Sequence, residues 1–213
     1  MTSPSVLQFR EILSDSGQFY GRRLSETDIQ RFSIYFQLVL KWNNHLHLTT
    51  ILQPLAFAQY HIFESVFAES HLLSDIHKIW DFGSGLGIPG IPLAILRPDL
   101  LVILVEANKK KAVFLKEVAD ALKLANLTIL NQRFEFITEV GSESCVTVRA
   151  IEQMNRLIPK ILMVGKQGAQ FLLFGSSETE SVILRILPPN LKIQSYLIPS
   201  SQNRFLISLI RST

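Results

Sequence analysis

Apolar residues recur at intervals of three and four through the first third of the chain, and after about residue 78 that rhythm changes. Leu7, Ile12 and Leu13 begin an amphipathic helical segment that Gly17 and Gly21 should break. Ser25, with an acid three positions on at Asp28, marks a new helix start, and apolar positions from Ile29 to Trp42 keep helical spacing. Residues 54–73 predict a further helix, with Pro54 in its first turn, where the missing N–H costs nothing. No strand alternation is convincing in this part. Beyond it, short β-branched and apolar runs at Ile79–Phe82, Leu101–Val105, Leu127–Leu130, Cys145–Val148 and Ala169–Phe174 alternate with helical stretches such as Lys109–Leu124 and Ile151–Val164. Strands alternating with helices predict a mostly parallel sheet covered on both faces. The last two apolar runs, Leu191–Ile198 and Arg204–Ile210, are too close in sequence for a crossover helix and predict an antiparallel hairpin. The expected organisation is an α/β fold over residues 76–213 with a helical N-terminal extension over residues 1–75.

Composition narrows the class. Of 213 residues, 47% are apolar and 18% charged, which excludes a disordered chain. Mean hydropathy is +0.25, yet the most apolar stretch, residues 86–96, is short and holds Pro89 and Pro92, so no membrane span is expected. No basic start followed by an apolar block marks a secretory signal. Cys145 stands alone, which removes disulfides and multi-cysteine metal sites, and a cytoplasmic location follows as the expectation.

Net charge is +3. Lys109, Lys110, Lys111, Lys116 and Lys123 against Glu117 and Asp120 give one helix-sized stretch that same excess. Lys109, Lys116 and Lys123 are spaced by sevens and should share a helical face. Such a face is either a solvated surface or a phosphate-facing patch.

The chemistry concentrates at residues 81–95, DFGSGLGIPGIPLAI. Two registers compete. Gly85, Gly87 and Gly90 fit the dinucleotide fingerprint, but the first glycine then falls late and Gly83 has no role. In the other register Asp81 closes a strand and Gly83, Ser84, Gly85 and Gly87 follow at once, as in the S-adenosylmethionine (AdoMet) loop of Rossmann-like methyltransferases. AdoMet has no pyrophosphate; it carries a sulfonium, an amino-acid tail and a ribose. An acid can accept from the ammonium, and glycines let the backbone lie against the ligand. Glu106, ending the second strand, can accept from both ribose hydroxyls, although NAD sites use an acid similarly.

The run DFGSGLGIPGIPLAILRP resembles the motif of the bacterial small-subunit ribosomal RNA guanine-N7 methyltransferases, the glucose-inhibited division protein B family. Lys41-Trp42-Asn43, Leu48-Thr49, His61-Ile62 with Ser65, Lys110-Lys111 with Phe114-Leu115, Arg133 with Glu135, and Arg149-Ala150 fall at that family's spacing. The resemblance covers roughly residues 30–175. It implies a Rossmann-like domain with a helical cap, AdoMet as cofactor, and 16S rRNA or the small ribosomal subunit as partner. It places Gly83, Ile88, Phe134, Glu135 and Arg149 around the cofactor, with Ile88 and Phe134 beside the adenine. Arg133 joins the lysines as an RNA contact. Three positions depart from the family: His47 replaces an asparagine, Ser144 replaces an acid, and Leu173–Ser176 lacks the usual lysine before its glycine.

Guanine N7 has a lone pair and no proton, so its methylation needs no general base. Arg149 would position the guanine or a phosphate, or else pair with a neighbouring acid to support the sheet; Arg149→Lys is expected to leave stability within about 1 kcal/mol. His45 and His47 diverge on a helix and lack companions, so no metal is expected. His61 and Glu64, three apart, should meet on a helix face. A monomer is expected. The alternatives are an AdoMet methyltransferase of another RNA or a small molecule, an RNA-binding member with weakened catalysis, and a NAD-dependent oxidoreductase using the Gly85 register.

Overall fold

The structure is a computed structural model, described over residues 3–15, 18–19, 22–150, 154–199 and 201–211. Helix α1 (Pro4–Asp15) leads to a minimal antiparallel pair, Gln18–Phe19 against Arg22–Arg23, in a region read from sequence as wholly helical. Gly17 and Gly21, the expected helix breakers, lie outside the described residues. Helix α2 (Glu26–Leu46) starts where the capping signal placed it. The Ser25 hydroxyl accepts the Asp28 N–H while the Asp28 carboxylate accepts the Ser25 N–H. It ends at His47, whose φ of 47° is left-handed. Asparagine, the residue the resemblance leads one to expect there, tolerates that conformation better than most side chains.

The helix predicted over 54–73 is shorter and irregular. Helix α3 (Pro54–Phe57) widens into a π-turn (Ala58–Phe63) and resumes as α4 (Glu64–Glu69). A π-turn rotates each following side chain relative to an α-helix, so His61 and Glu64 do not pair as the three-residue spacing suggested. The His61 Nε2 lies 3.3 Å from the Thr49 hydroxyl, and Glu64 turns to two arginines.

Seven strands form the main sheet: β1 (Lys78–Phe82), β2 (Leu101–Val105), β3 (Leu127–Leu130), β4 (Ser144–Arg149), β5 (Gln170–Gly175), β6 (Leu191–Leu197) and β7 (Phe205–Arg211). Their order is β3-β2-β1-β4-β5-β7-β6; the first five are parallel, and β7 runs antiparallel to both neighbours. Crossovers carry helices α5 (Gly90–Leu96), α6 (Lys109–Leu122), α7 (Met154–Met163) and α8 (Ser177–Ile186).

Side chains alternate between the faces. Ile79, Val102 and Leu104 join one apolar cluster with α5, α6 and the N-terminal helices; Phe82, Ile103 and Val105 join another with α7 and α8. The helical extension thus shares its core with one sheet face. Tyr35, Phe36 and Phe57 are fully buried there. Because the first five strands are parallel, their C-terminal ends share one edge. β7 starts at that edge, with Phe205 opposite Gly175, so the β6–β7 loop and Arg204 lie there too.

Candidate functional site

The glycine corner follows β1 directly. β1 ends at Phe82, so Gly83 is the first loop residue. Gly83, Gly85 and Gly87 have φ values of 67°, 52° and 93°, all left-handed. The N–H groups of Gly83 and Ser84 donate to the Val105 carbonyl at 2.8 and 3.2 Å, folding the loop across the end of β2. Glu106 accepts from the Gly85 N–H at 2.7 Å with one carboxylate oxygen and from the Asn108 N–H at 2.6 Å with the other. The side chain expected to meet a ribose therefore holds the loop backbone in this structure. Tyr35, on α2, donates its hydroxyl to the Leu86 carbonyl at 2.8 Å, so the helical extension is built into this corner.

Asp81 is almost wholly buried. It stands opposite Thr147 in the β1–β4 register, and the Thr147 hydroxyl donates to its Oδ1 at 2.8 Å. Its Oδ2 has no hydrogen-bond partner. A Cβ on Gly90, the first residue of α5, would stand 2.9 Å from that oxygen and 2.3 Å from Leu104, so only glycine fits there. Burial pushes the Asp81 carboxyl up to about 7, and the hydrogen bond from Thr147 opposes that rise. This arrangement bears on the two glycine registers. A dinucleotide would bring its pyrophosphate to the start of α5, where the Asp81 carboxylate already sits. A ligand with a cationic group is favoured instead.

Arg149 ends β4 on the same edge. Its guanidinium forms an ion pair with Glu64 at 2.9 Å, donates to the Tyr60 carbonyl at 2.7 Å and lies 5.2 Å from the centre of the Phe174 ring. Glu64 also pairs with Arg204 at 2.5 Å, and Arg204 stacks over the Tyr60 ring at 4.6 Å. Burial raises the Glu64 carboxyl and lowers the Arg149 guanidinium, and each is offset by the other's charge. The ion pair anticipated for a supporting Arg149 exists, and it makes the expected mildness of Arg149→Lys unsafe, since the contacts are buried. Sequence reasoning missed Tyr60, Tyr35, Thr147 and Arg204. Only the arginine's position opening the last strand hinted at the sheet edge.

Burial pushes His61 down to about 3, so it is neutral near pH 7. Its motif companions are structural: the Asn43 side chain accepts the Thr49 N–H at 2.9 Å, and Thr49 then meets His61. Ile88 is buried, and Phe134 is buried and stacked on Phe82 with ring centres 5.3 Å apart. Glu135 pairs with Arg133 at 2.8 Å, leaving most of Arg133 exposed. Cys145 is fully buried.

Helix α6 begins at the edge that bears the glycine corner and runs to the opposite edge. The Asn108 side chain caps it by accepting from Lys110 and Lys111. Lys109, Lys110 and Lys116 are exposed, and Lys111 is half-buried. Lys123 follows the last helical residue, Leu122, with a φ of 52°. It joins Lys116 and Asp120 around an open cleft beside β3. Glu117 is already bound by Lys41 and the Trp42 indole N–H, both at 2.9 Å, so it does not neutralise these lysines.

Among the described residues no helix is long and apolar enough to cross a membrane, and no group of three or more metal-ligating side chains occurs.

Solved methyltransferases share the fold. A precorrin-6y C5,15-methyltransferase from Geobacter metallireducens superimposes with a TM-score of 0.54 at 16% identity, covering 70% of this chain and 87% of that one. An S-adenosylmethionine-dependent methyltransferase from Methanococcus maripaludis, described as putative, gives 0.56 at 14% identity over 90% and 97%. At the sequence level, the ribosomal RNA small subunit methyltransferase G of Pseudomonas putida is 33% identical over 172 residues, 81% of this chain and 80% of that one. That of Staphylococcus saprophyticus is 32% identical over 76% and 69%. The family model for rRNA small subunit methyltransferase G matches residues 28–204, spanning the helical cap, the glycine corner, Arg149 and Arg204. This chain belongs to the rRNA small subunit methyltransferase G family.

Proposed function

We propose that this protein transfers a methyl group from AdoMet to N7 of a guanine in 16S rRNA. The observation that carries the reading is Asp81: a buried carboxylate with an unpaired oxygen, beneath a loop of left-handed glycines. Such a group suits the ammonium of an amino-acid tail and repels a pyrophosphate.

Asp81, Gly83, Ser84, Gly85, Gly87 and Ile88 would hold the cofactor's tail and body. Glu106 would accept from its ribose, and Phe134 and Glu135 would border its base. The cofactor, when bound, supplies an electrophilic methyl on a sulfonium. The acceptor N7 has no proton to lose, which accords with a neutral, buried His61 and with Arg149 held by an ion pair rather than poised as a base. Catalysis then rests on alignment in a dry site. Arg149 would position the guanine or an adjacent phosphate with its planar fork. Lys109, Lys110, Lys111, Lys116 and Arg133 would meet RNA phosphates, with Lys123 at the far end.

The experiment is single-turnover methyl transfer from labelled AdoMet to small subunits and to naked 16S rRNA, with the product mapped at nucleotide resolution. The reading stands if one guanine acquires an N7 methyl. Methylation at another atom, or binding of NAD without AdoMet in calorimetry, removes it.

A further inference from the structure

A cleft of about 420 Å³ opens on the sheet edge that bears the glycine corner, lined by Ile51, Tyr60, Ser201, Gln202 and Arg204. Its Arg204 pairs with one carboxylate oxygen of Glu64, and Arg149 pairs with the other. We propose that this cleft receives an unpaired RNA nucleotide that flanks the methylated one, its base stacked on the Tyr60–Arg204 pair and its phosphate held by Arg204. The inference rests on the rRNA-methyltransferase reading above.

Three observations support it. The Arg204 guanidinium carbon lies over the Tyr60 ring, 4.6 Å from its centre, and an arginine–aromatic pair of this kind offers a cationic surface that suits any nucleobase. Two guanidinium charges, Arg149 and Arg204, share the single carboxylate of Glu64, so the group keeps one positive charge beside the cleft. That surplus favours an anionic occupant such as a phosphodiester. The platform is also held in place. The Ser201 hydroxyl accepts the N–H groups of Asn203 and Arg204 at 3.3 and 2.8 Å, and the Arg204 carbonyl accepts the Ile198 N–H at 2.8 Å. Glu64 fixes the guanidinium from the other side. A rigid stack loses little freedom when a base settles on it.

The flanking nucleotide is favoured over the reacting one because the cleft's side chains reach Arg149 through the Glu64 carboxylate and the Tyr60 carbonyl, while Arg149 itself ends β4 next to the strand carrying Asp81.

The test uses Tyr60→Ala and Tyr60→Phe in the full chain, with thermal melting and AdoMet calorimetry verifying both. In Tyr60→Ala, KM for the RNA is expected to rise about 5- to 150-fold, the loss of one stacked base, while kcat at saturating RNA holds. Tyr60→Phe restores the parental KM because the ring remains. Fluorescence anisotropy of a labelled, unpaired ribo-decanucleotide should show the same loss and rescue without any methyl transfer. An unchanged KM and anisotropy in Tyr60→Ala overturns the proposal. A fall in kcat at constant KM places Tyr60 on the reacting base and also overturns it. A parent that binds the decanucleotide with this Tyr60 dependence but methylates no guanine leaves the cleft assignment standing and removes the proposed reaction.

Discussion

Arg149 and Glu64 form a 2.9 Å ion pair that joins the end of a central strand to the helical cap. The pair brings residues 85 positions apart onto the edge where the glycine corner opens, and it exists because the π-turn aims Glu64 at the sheet. Burial makes the contact sensitive to its partners, since removing one leaves an uncompensated charge.

Arg149→Lys keeps the charge but loses the planar fork that serves Glu64 and the Tyr60 carbonyl together. Single-turnover methylation should fall about a hundredfold, the scale of a misplaced reacting group. Stability should fall by about 1–3 kcal/mol in urea denaturation, more than a surface change would give. A parental methylation rate would reduce Arg149 to support of the sheet.

Glu64→Ala leaves two guanidinium groups facing each other without a carboxylate. The expected loss of stability is about 3–5 kcal/mol, read from the denaturation midpoint. Double mutation with Arg204→Ala should recover part of that loss, because one of the stranded charges is gone. Strictly additive losses would show that Glu64 and Arg204 do not interact.

Asp81 predicts a pH dependence in cofactor binding. An ammonium is received by the ionised carboxylate, and burial holds the free protein's carboxyl at about 7. AdoMet affinity should be flat above pH 7 and weaken below it, approaching tenfold per pH unit. Calorimetry at pH 6.5 in buffers of different ionisation heat should reveal proton release on binding. The carboxyl's own effect on ligand-free stability has the opposite sense. Its folded value lies above the ordinary 3.8, so that contribution is greatest at low pH and is lost as pH rises from about 4 to 7. At saturating AdoMet the methylation rate should show no base ionisation between pH 6 and 9. A base-type ionisation there would contradict the N7 mechanism.

Gly83 has a φ of 67°, where a Cβ costs about 1–2 kcal/mol. Gly83→Ala should lower the melting temperature modestly and weaken AdoMet binding through the displaced loop. Parental affinity in calorimetry would remove Gly83 from the cofactor contacts.

Lys110, Lys111 and Lys116 changed together to Gln should weaken RNA binding at every sequence and reduce the slope of log affinity against log salt by up to about 2–3. AdoMet affinity should hold. An unchanged slope would make α6 an ordinary solvated helix.

The sequence by itself determined most of the elements and the glycine corner after β1, because both are written locally. A period of 3.6 or short apolar runs announces a helix or a strand. The Ser25–Asp28 cap is a reciprocal hydrogen bond between neighbours, and three left-handed residues within five positions favour glycines such as Gly83, Gly85 and Gly87. Spacing did not report where α6 stops: Lys123 lies one residue past its last turn with a φ of 52°, and still lines a cleft with Lys116. Tertiary structure alone decided the rest. The π-turn at Ala58–Phe63 has no periodic signature, yet it separates His61 from Glu64 and sends the carboxylate to Arg149 and Arg204. Tyr35 meets Leu86, and Thr147 meets Asp81, across 51 and 66 positions, through packing and strand register. Charge pairs and buried hydrogen bonds between distant segments form only once the apolar faces have docked, and no local pattern encodes which polar atoms that docking will bring within 3 Å.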